Sequence, residues 1–105
     1  MLPTNPTERK NLQIYSGVLM YFPKAIAEVA KASMAGNKQH MPGTPLHWDR
    51  SKSSDHLDAL VRHLMEAGTV DTDGVRHLGK VVWRAMAALE EEIEKAELEF
   101  TLNNK

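Results

Sequence analysis

The chain contains no cysteine. That excludes a disulfide framework, a thiolate zinc site and cysteine-based nucleophilic catalysis. No apolar run approaches the roughly 20 residues needed to span a bilayer. The opening residues MLPTNPTERKNLQ lack the apolar core of a secretory signal. A cytoplasmic protein without membrane contact is therefore expected. Net charge is also scarce, at −1 over 105 residues. A general nucleic-acid binder is normally basic, so no stable nucleic-acid complex is expected. The chain has no Gly-rich phosphate loop, no HExxH and no Gly-x-Ser-x-Gly, which leaves P-loop, zincin and serine-hydrolase chemistry without support. Strand-like alternation, internal repeats and low-complexity tracts are missing too, and the expected class is all-α.

What is present is unevenly spread. Residues 90–105 carry six Glu and two Lys, an acidic end of −4 that leaves the rest at +3. All five histidines (His40, His47, His56, His63, His77) fall within 38 residues, together with Asp49, Asp55, Asp58, Asp71 and Asp73 and with Arg50, Lys52, Arg62 and Arg76 interleaved. A plain helical bundle does not need such a concentration. Hard acids and imidazoles suit a divalent metal, and nearby Arg and Lys suit phosphate.

The expected organisation is an arm over residues 1–13, one domain over 14–100 and a tail over 101–105. Residues 14–22, IYSGVLMYF, form a short apolar stretch that can dock on a core. Pro23 suits the first turn of a helix. Ile26, Val29, Ala30 and Met34 recur at helical spacing, and Gly36 and Asn37 are expected to stop that helix. Residues 36–52 then read as a 17-residue loop with two Pro, two Gly, two His and a Trp; loops this long in small domains are usually functional or disordered. Ser53 or Ser54 is expected to cap a second helix, whose core stripe is Leu57, Leu60, Val61, Leu64 and Met65, with His56 and His63 on one flank. Gly68 ends it. Asp71-Thr-Asp-Gly supplies a turn and a cap for a third helix. There Leu78, Val81, Val82, Ala85, Leu89 and Ile93 are spaced as a core seam. The expected fold is a small bundle of three to four main helices with a long ordered loop, completed by oligomerisation.

Asp55 and Asp58, at i and i+3, can present two carboxylates to one metal ion; equally, Asp55 can favour a helix start while Asp58 pairs with Arg62. Glu28 lies beside an Ala-rich face and is either solvated or aimed at the Asp pair by packing. His63 borders the core stripe, as a packing residue or a ligand. Asp73 and His77, at i and i+4, can share a metal or form a capped helix start. Asn37 and His40, with His47, Trp48, Arg50 and Lys52, resemble a ligand loop in which Trp stacks on a base and Arg and Lys meet phosphate. The alternative has Trp48 plugging the core and Asp49 paired to Arg50. Lys80 and Arg84, near Arg76, line one side of the last helix and either meet a triphosphate or face solvent. The Glu-rich run EEEIEKAELE reads as a solvated surface or subunit contact. His and Asp neighbour each other only in reversed or interrupted order, unlike an HD phosphohydrolase.

The run GNKQHMPGTPLHWDRSKSSDHLDALVRHL, followed by AGTVDTDGVRHLGKVVWRAMAALEEE, resembles a phage and prophage family, the dATP/dGTP diphosphohydrolase N-terminal domain. The likeness spans roughly residues 12–95. That family is similar in turn to the MazG-like all-α nucleoside triphosphate pyrophosphohydrolases. The resemblance implies hydrolysis of a purine deoxynucleoside triphosphate to monophosphate and pyrophosphate with Mg²⁺ or Mn²⁺, by a homodimer or homotetramer, in the bacterial host cytoplasm. The MazG-like pattern is an ExxE pair on one helix and an ExxD pair on the next. Asp55-x-x-Asp58 matches the second pair conservatively and Glu28 one member of the first, but Lys31 stands where the other carboxylate belongs. His63, Asp73 or His77 would complete the shell. Glu28 or Asp58 would orient or deprotonate water. Arg62, Lys80 and Arg84 would stabilise the phosphates, and Trp48 with residues 37–40 would hold the base. The competing readings are a non-catalytic nucleotide-sensing or partner-binding module and a structural oligomer.

Overall fold

The computed structural model describes residues 2–52 and 54–104. Among the described residues four α-helices run in order: α1 Pro6–Asn11, α2 Pro23–His40, α3 His56–Leu64 and α4 His77–Asn103. A π-helical turn, Tyr15–Leu19, precedes α2, and a single 3₁₀ turn, Arg50–Lys52, precedes α3. The fold is all-α, with no strand among the described residues beyond an isolated bridge between Val70 and Arg76. α4 is the spine, against which α2 and α3 both pack. At about 1.5 Å per residue it is roughly 40 Å long, and residues 92–104 are exposed throughout.

Four boundaries differ from expectation, one of them the end of α3, which falls at Leu64 and not at Gly68. α2 continues through Gly36 and Asn37 to His40, because Ala35, Lys38 and Gln39 are good helix formers and tolerate one interior Gly. Pro42 ends it instead, by disfavouring the helical conformation at Met41, which sits at φ −143°. Of the two serines expected to cap α3, Ser53 lies outside the described residues, and the cap position belongs to Asp55, not Ser54. Asp55 makes no capping bond there; its carboxylate accepts from Arg62 Nη2 at 3.0 Å. Asp71–Gly74 does form a turn, closed by Gly74 N–H to Asp71 O at 2.9 Å with Gly74 at φ +83°. It does not cap α4, which begins at His77. Glu28 reaches across from α2 instead, and its carboxylate accepts the Arg76 N–H at 2.8 Å. A carboxylate beside a helix N-terminus is favourably placed. The crossing is close because Gly79 has no side chain: a Cβ there would lie 2.8 Å from Glu28 Cγ.

The helix faces are the main surprise. On α3 the stripe Leu57, Val61, Leu64 and Met65 is 49–82% exposed, while His56 and Ala59 are buried and Leu60 and His63 half-buried. On α4, Leu78, Val82, Leu89 and Ile93 are exposed, Ala85 as well, and only Val81 of the expected seam is half-buried. The buried small residues are Ala59 on α3 and Gly79 and Ala87 on α4, with Gly79 against Glu28 of α2, and the buried imidazoles find polar partners between α3 and α4. The buried apolar core among the described residues is Val29, Ala59, Val75 and Ala87.

Candidate functional site

A cavity of about 330 Å³ opens between the end of α2, residues 41–52, the start of α3 and the first half of α4. Of the expected substrate residues, Asn37, His40, His47, Trp48, Lys52 and Arg84 line it; Arg62 and Lys80 join them, with the carboxylates of Asp55 and Asp73. Glu28, Arg50, Asp58, His63 and His77 are not on its wall. Trp83, for which sequence spacing offers no functional signal, is on the wall. Volume and lining are those of a small-molecule site: ring faces on one side and convergent polar groups on the other.

The aromatic side is built from the 41–52 segment, α3 and α4. Trp48 and Trp83 meet edge-to-face at 5.8 Å, and the His56 ring lies 6.3 and 6.2 Å from them. Two charged groups lock His56. Arg84 Nη1 can only donate, so His56 Nδ1 accepts at 3.1 Å, and Nε2 carries the proton toward Glu91 at 3.2 Å. Arg50 lies 4.1 Å over the Trp48 ring and pairs with Glu94, so it covers the indole from outside the cavity. Asp49 turns back instead on Ser51, accepting from its N–H at 3.0 Å and its hydroxyl at 2.6 Å.

The polar side is a set of closed ion pairs. Lys80 Nζ donates to Asp71 Oδ2 at 2.7 Å and Asp73 Oδ2 at 2.6 Å. The Lys80 hydrogen bond, with the Thr72 N–H, holds the Asp71 carboxyl down at about 2. Burial pushes Asp73 up, but Lys80 and the Val75 N–H outweigh it and the net direction is down. Burial likewise opposes the Lys80 charge, and the two aspartates overcome it, leaving its pKa raised. Arg62 holds Asp55. Glu28, bound to the Arg76 N–H and 3.5 Å from Lys31, is pushed down first by that backbone bond.

Glu28, Asp55 and Asp58 are not gathered at one point. Asp58 is exposed in the first turn of α3, and Glu28 serves α4. Among the described residues the grouping with metal-ligand spacing is His63, Asp71 and His77. Of these, Asp71 belongs to the acid- and histidine-rich stretch but is expected there individually only as a turn residue. Glu66 and Glu91, which stand behind the buried imidazoles, carried no signal, since their partners lie 11 and 35 positions away.

Neither a curated protein nor a solved structure matches the chain. A family model does, the one described as dATP/dGTP diphosphohydrolase, N-terminal, over residues 4–100. That span includes the ligand loop, all the cavity walls and the helices that carry them, and the chain belongs to the dATP/dGTP diphosphohydrolase N-terminal family.

Proposed function

We propose that the cavity binds a purine deoxynucleoside triphosphate and that the chain hydrolyses it to the monophosphate and pyrophosphate. The observation that carries this reading is the meeting, in one small cavity, of two indoles with Lys52, Arg62, Lys80 and Arg84. Indole faces suit a base, and four cations suit a triphosphate. The family's name points the same way.

The carboxylates on the wall fit Mg²⁺ or Mn²⁺ in the manner usual for nucleotide sites, where one or two acids and the phosphates themselves share the ion. Asp55 and Asp73 are those acids. Such an ion supplies charge neutralisation and Lewis acidity at the triphosphate. The chain's part is an exchange of partners. Entering phosphates would draw Arg62 from Asp55 and Lys80 from Asp73, and the released carboxylates are the groups that would hold such an ion or accept a proton from the attacking water. Lys80 and Arg84, one turn apart on α4, then stabilise charge on the leaving pyrophosphate. Trp48 stacks on the base with its cavity side, while Arg50, paired with Glu94, backs the indole from outside.

A second copy of the chain belongs to this reading. The exposed apolar side chains of α3 and α4 are the proposed association face, and an isologous contact between like faces gives a homodimer, or in pairs a homotetramer.

Arg84→Ala tests the reading. Loss of two roles, the phosphate contact and the lock on His56, is expected to lower kcat/KM for dATP or dGTP by at least about 100-fold, measured by pyrophosphate release. Unchanged turnover would remove Arg84 and this cavity from the reaction. One observation favours a non-catalytic nucleotide sensor: of the cavity carboxylates, Asp55 and Asp73 bond cations and Asp49 is held by Ser51. In that case dNTP would quench Trp48 fluorescence without any pyrophosphate appearing.

A further inference from the structure

We propose that His63, Asp71 and His77 form a site for one late first-row divalent metal ion, of the class of Co²⁺ or Zn²⁺, separate from the Mg²⁺ or Mn²⁺ expected with a nucleotide. The three side chains come from the end of α3, the 71–74 turn and the first residue of α4. Their ligand atoms all lie within 4.8 Å of one another. His63 Nδ1 and His77 Nδ1 face each other at 2.9 Å. Two metal–nitrogen bonds of roughly 2.1 Å put their nitrogens about 3.0 Å apart at a right angle and about 3.4 Å apart at the tetrahedral angle, so the pair needs to open by at most about half an ångström to take an ion between them. Asp71 Oδ2 stands 4.0 Å from His77 Nδ1, one small carboxylate swing from the same centre.

The surroundings support ligation over simple packing. His77 is 5% exposed, and its other ring nitrogen, Nε2, lies 3.6 Å from Glu66 Oε2, a few tenths of an ångström outside hydrogen-bond distance. A carboxylate behind a ligating imidazole places the proton on the far nitrogen and leaves the near one free to bind. Two imidazoles with one carboxylate select late transition metals over Mg²⁺, which prefers oxygen and dehydrates reluctantly. Three protein ligands leave coordination positions open to water. Lys80 competes for Asp71 Oδ2, but it also holds Asp73, so it keeps a carboxylate when Asp71 turns to the ion. None of these ligands lines the cavity.

The inference does not rest on hydrolysis, and its test uses no nucleotide. Metal-free protein is titrated with Co²⁺ alone and followed by visible d–d absorption and by bound metal after gel filtration. Stoichiometric uptake that survives excess Mg²⁺ is expected. His63→Gln and Asp71→Asn are expected to abolish it, and Glu66→Gln to weaken it by roughly 10-fold or more. Lys80→Met is expected to tighten it. Circular dichroism establishes that each variant is folded, and Asp71→Asn, at a surface turn, carries the test if the histidine variant is not. No stoichiometric uptake, or uptake unchanged in both ligand variants, would overturn the site and leave the nucleotide reading standing.

Discussion

Glu28 shows how one side chain can serve architecture where the sequence suggested chemistry. Its carboxylate closes the N-terminus of α4 through the Arg76 N–H, and Gly79 is the opening that lets α2 come near enough. Gly79→Ala would set a Cβ 2.8 Å from Glu28 Cγ and 3.3 Å from the Glu28 carbonyl oxygen. The expected cost is about 1–3 kcal/mol of stability. Gly36→Ala, in the interior of α2 with open space around its Cβ, is expected to add about 0.5–1 kcal/mol. Chemical denaturation of the two variants checks the pair, and similar effects of one sign would contradict the crossing. His63 carries a second prediction at this scale. Burial, then the charges of Lys80 and His77, hold its pKa below the usual value of 6.5. The unfolded chain therefore takes up that proton first as the pH falls. Stability is fully present above about pH 6.5 and declines as the pH drops through the lowered folded value. Metal-free wild type is expected to melt lower at about pH 5.5 than at pH 7.5, with a smaller difference in His63→Gln. An equal difference in both would assign the dependence to another group. Asp71 adds a separate decline at lower pH, between its ordinary 3.8 and about 2.

At the scale of elements, α3 and α4 present their large apolar side chains outward and their imidazoles inward. Hydrophobic spacing located both helices in the sequence, and the stripes themselves are real. What spacing could not tell is which apolar stripe meets its own chain. That was settled by small residues, Ala59, Gly79 and Ala87, and by partners such as Glu91 and Arg84 that satisfy His56. The ligand loop was legible for a simpler reason: Asn37, His40, His47, Trp48 and Lys52 lie within 16 residues, so one bend of chain brings them to the same cavity. The acid set was not, because Glu28 and Asp55 belong to different helices whose approach only packing decides. The outward stripes lead to a prediction. Val82→Asp, at a position 40% exposed in the single chain, is expected to cost an isolated chain little but to split the proposed oligomer. Sedimentation equilibrium should show a larger species for wild type and a single chain for the variant. Single chains in both samples would remove the second copy from the account.

Over the whole molecule, charge and shape divide the labour. The acidic end of α4 supplies Glu91 and Glu94, which fasten His56 and Arg50 at the aromatic wall, while the basic body supplies the cations of the cavity. No helix among the described residues is long and apolar enough to cross a membrane. The central claim is that this arrangement turns over a nucleotide. The measurement that tests it most directly is pyrophosphate release from each common dNTP by the folded chain, with Mg²⁺ or Mn²⁺ and with EDTA as control. The account predicts metal-dependent release from dATP or dGTP with a monophosphate product, stopped by EDTA. No release from any dNTP with metal present would contradict it.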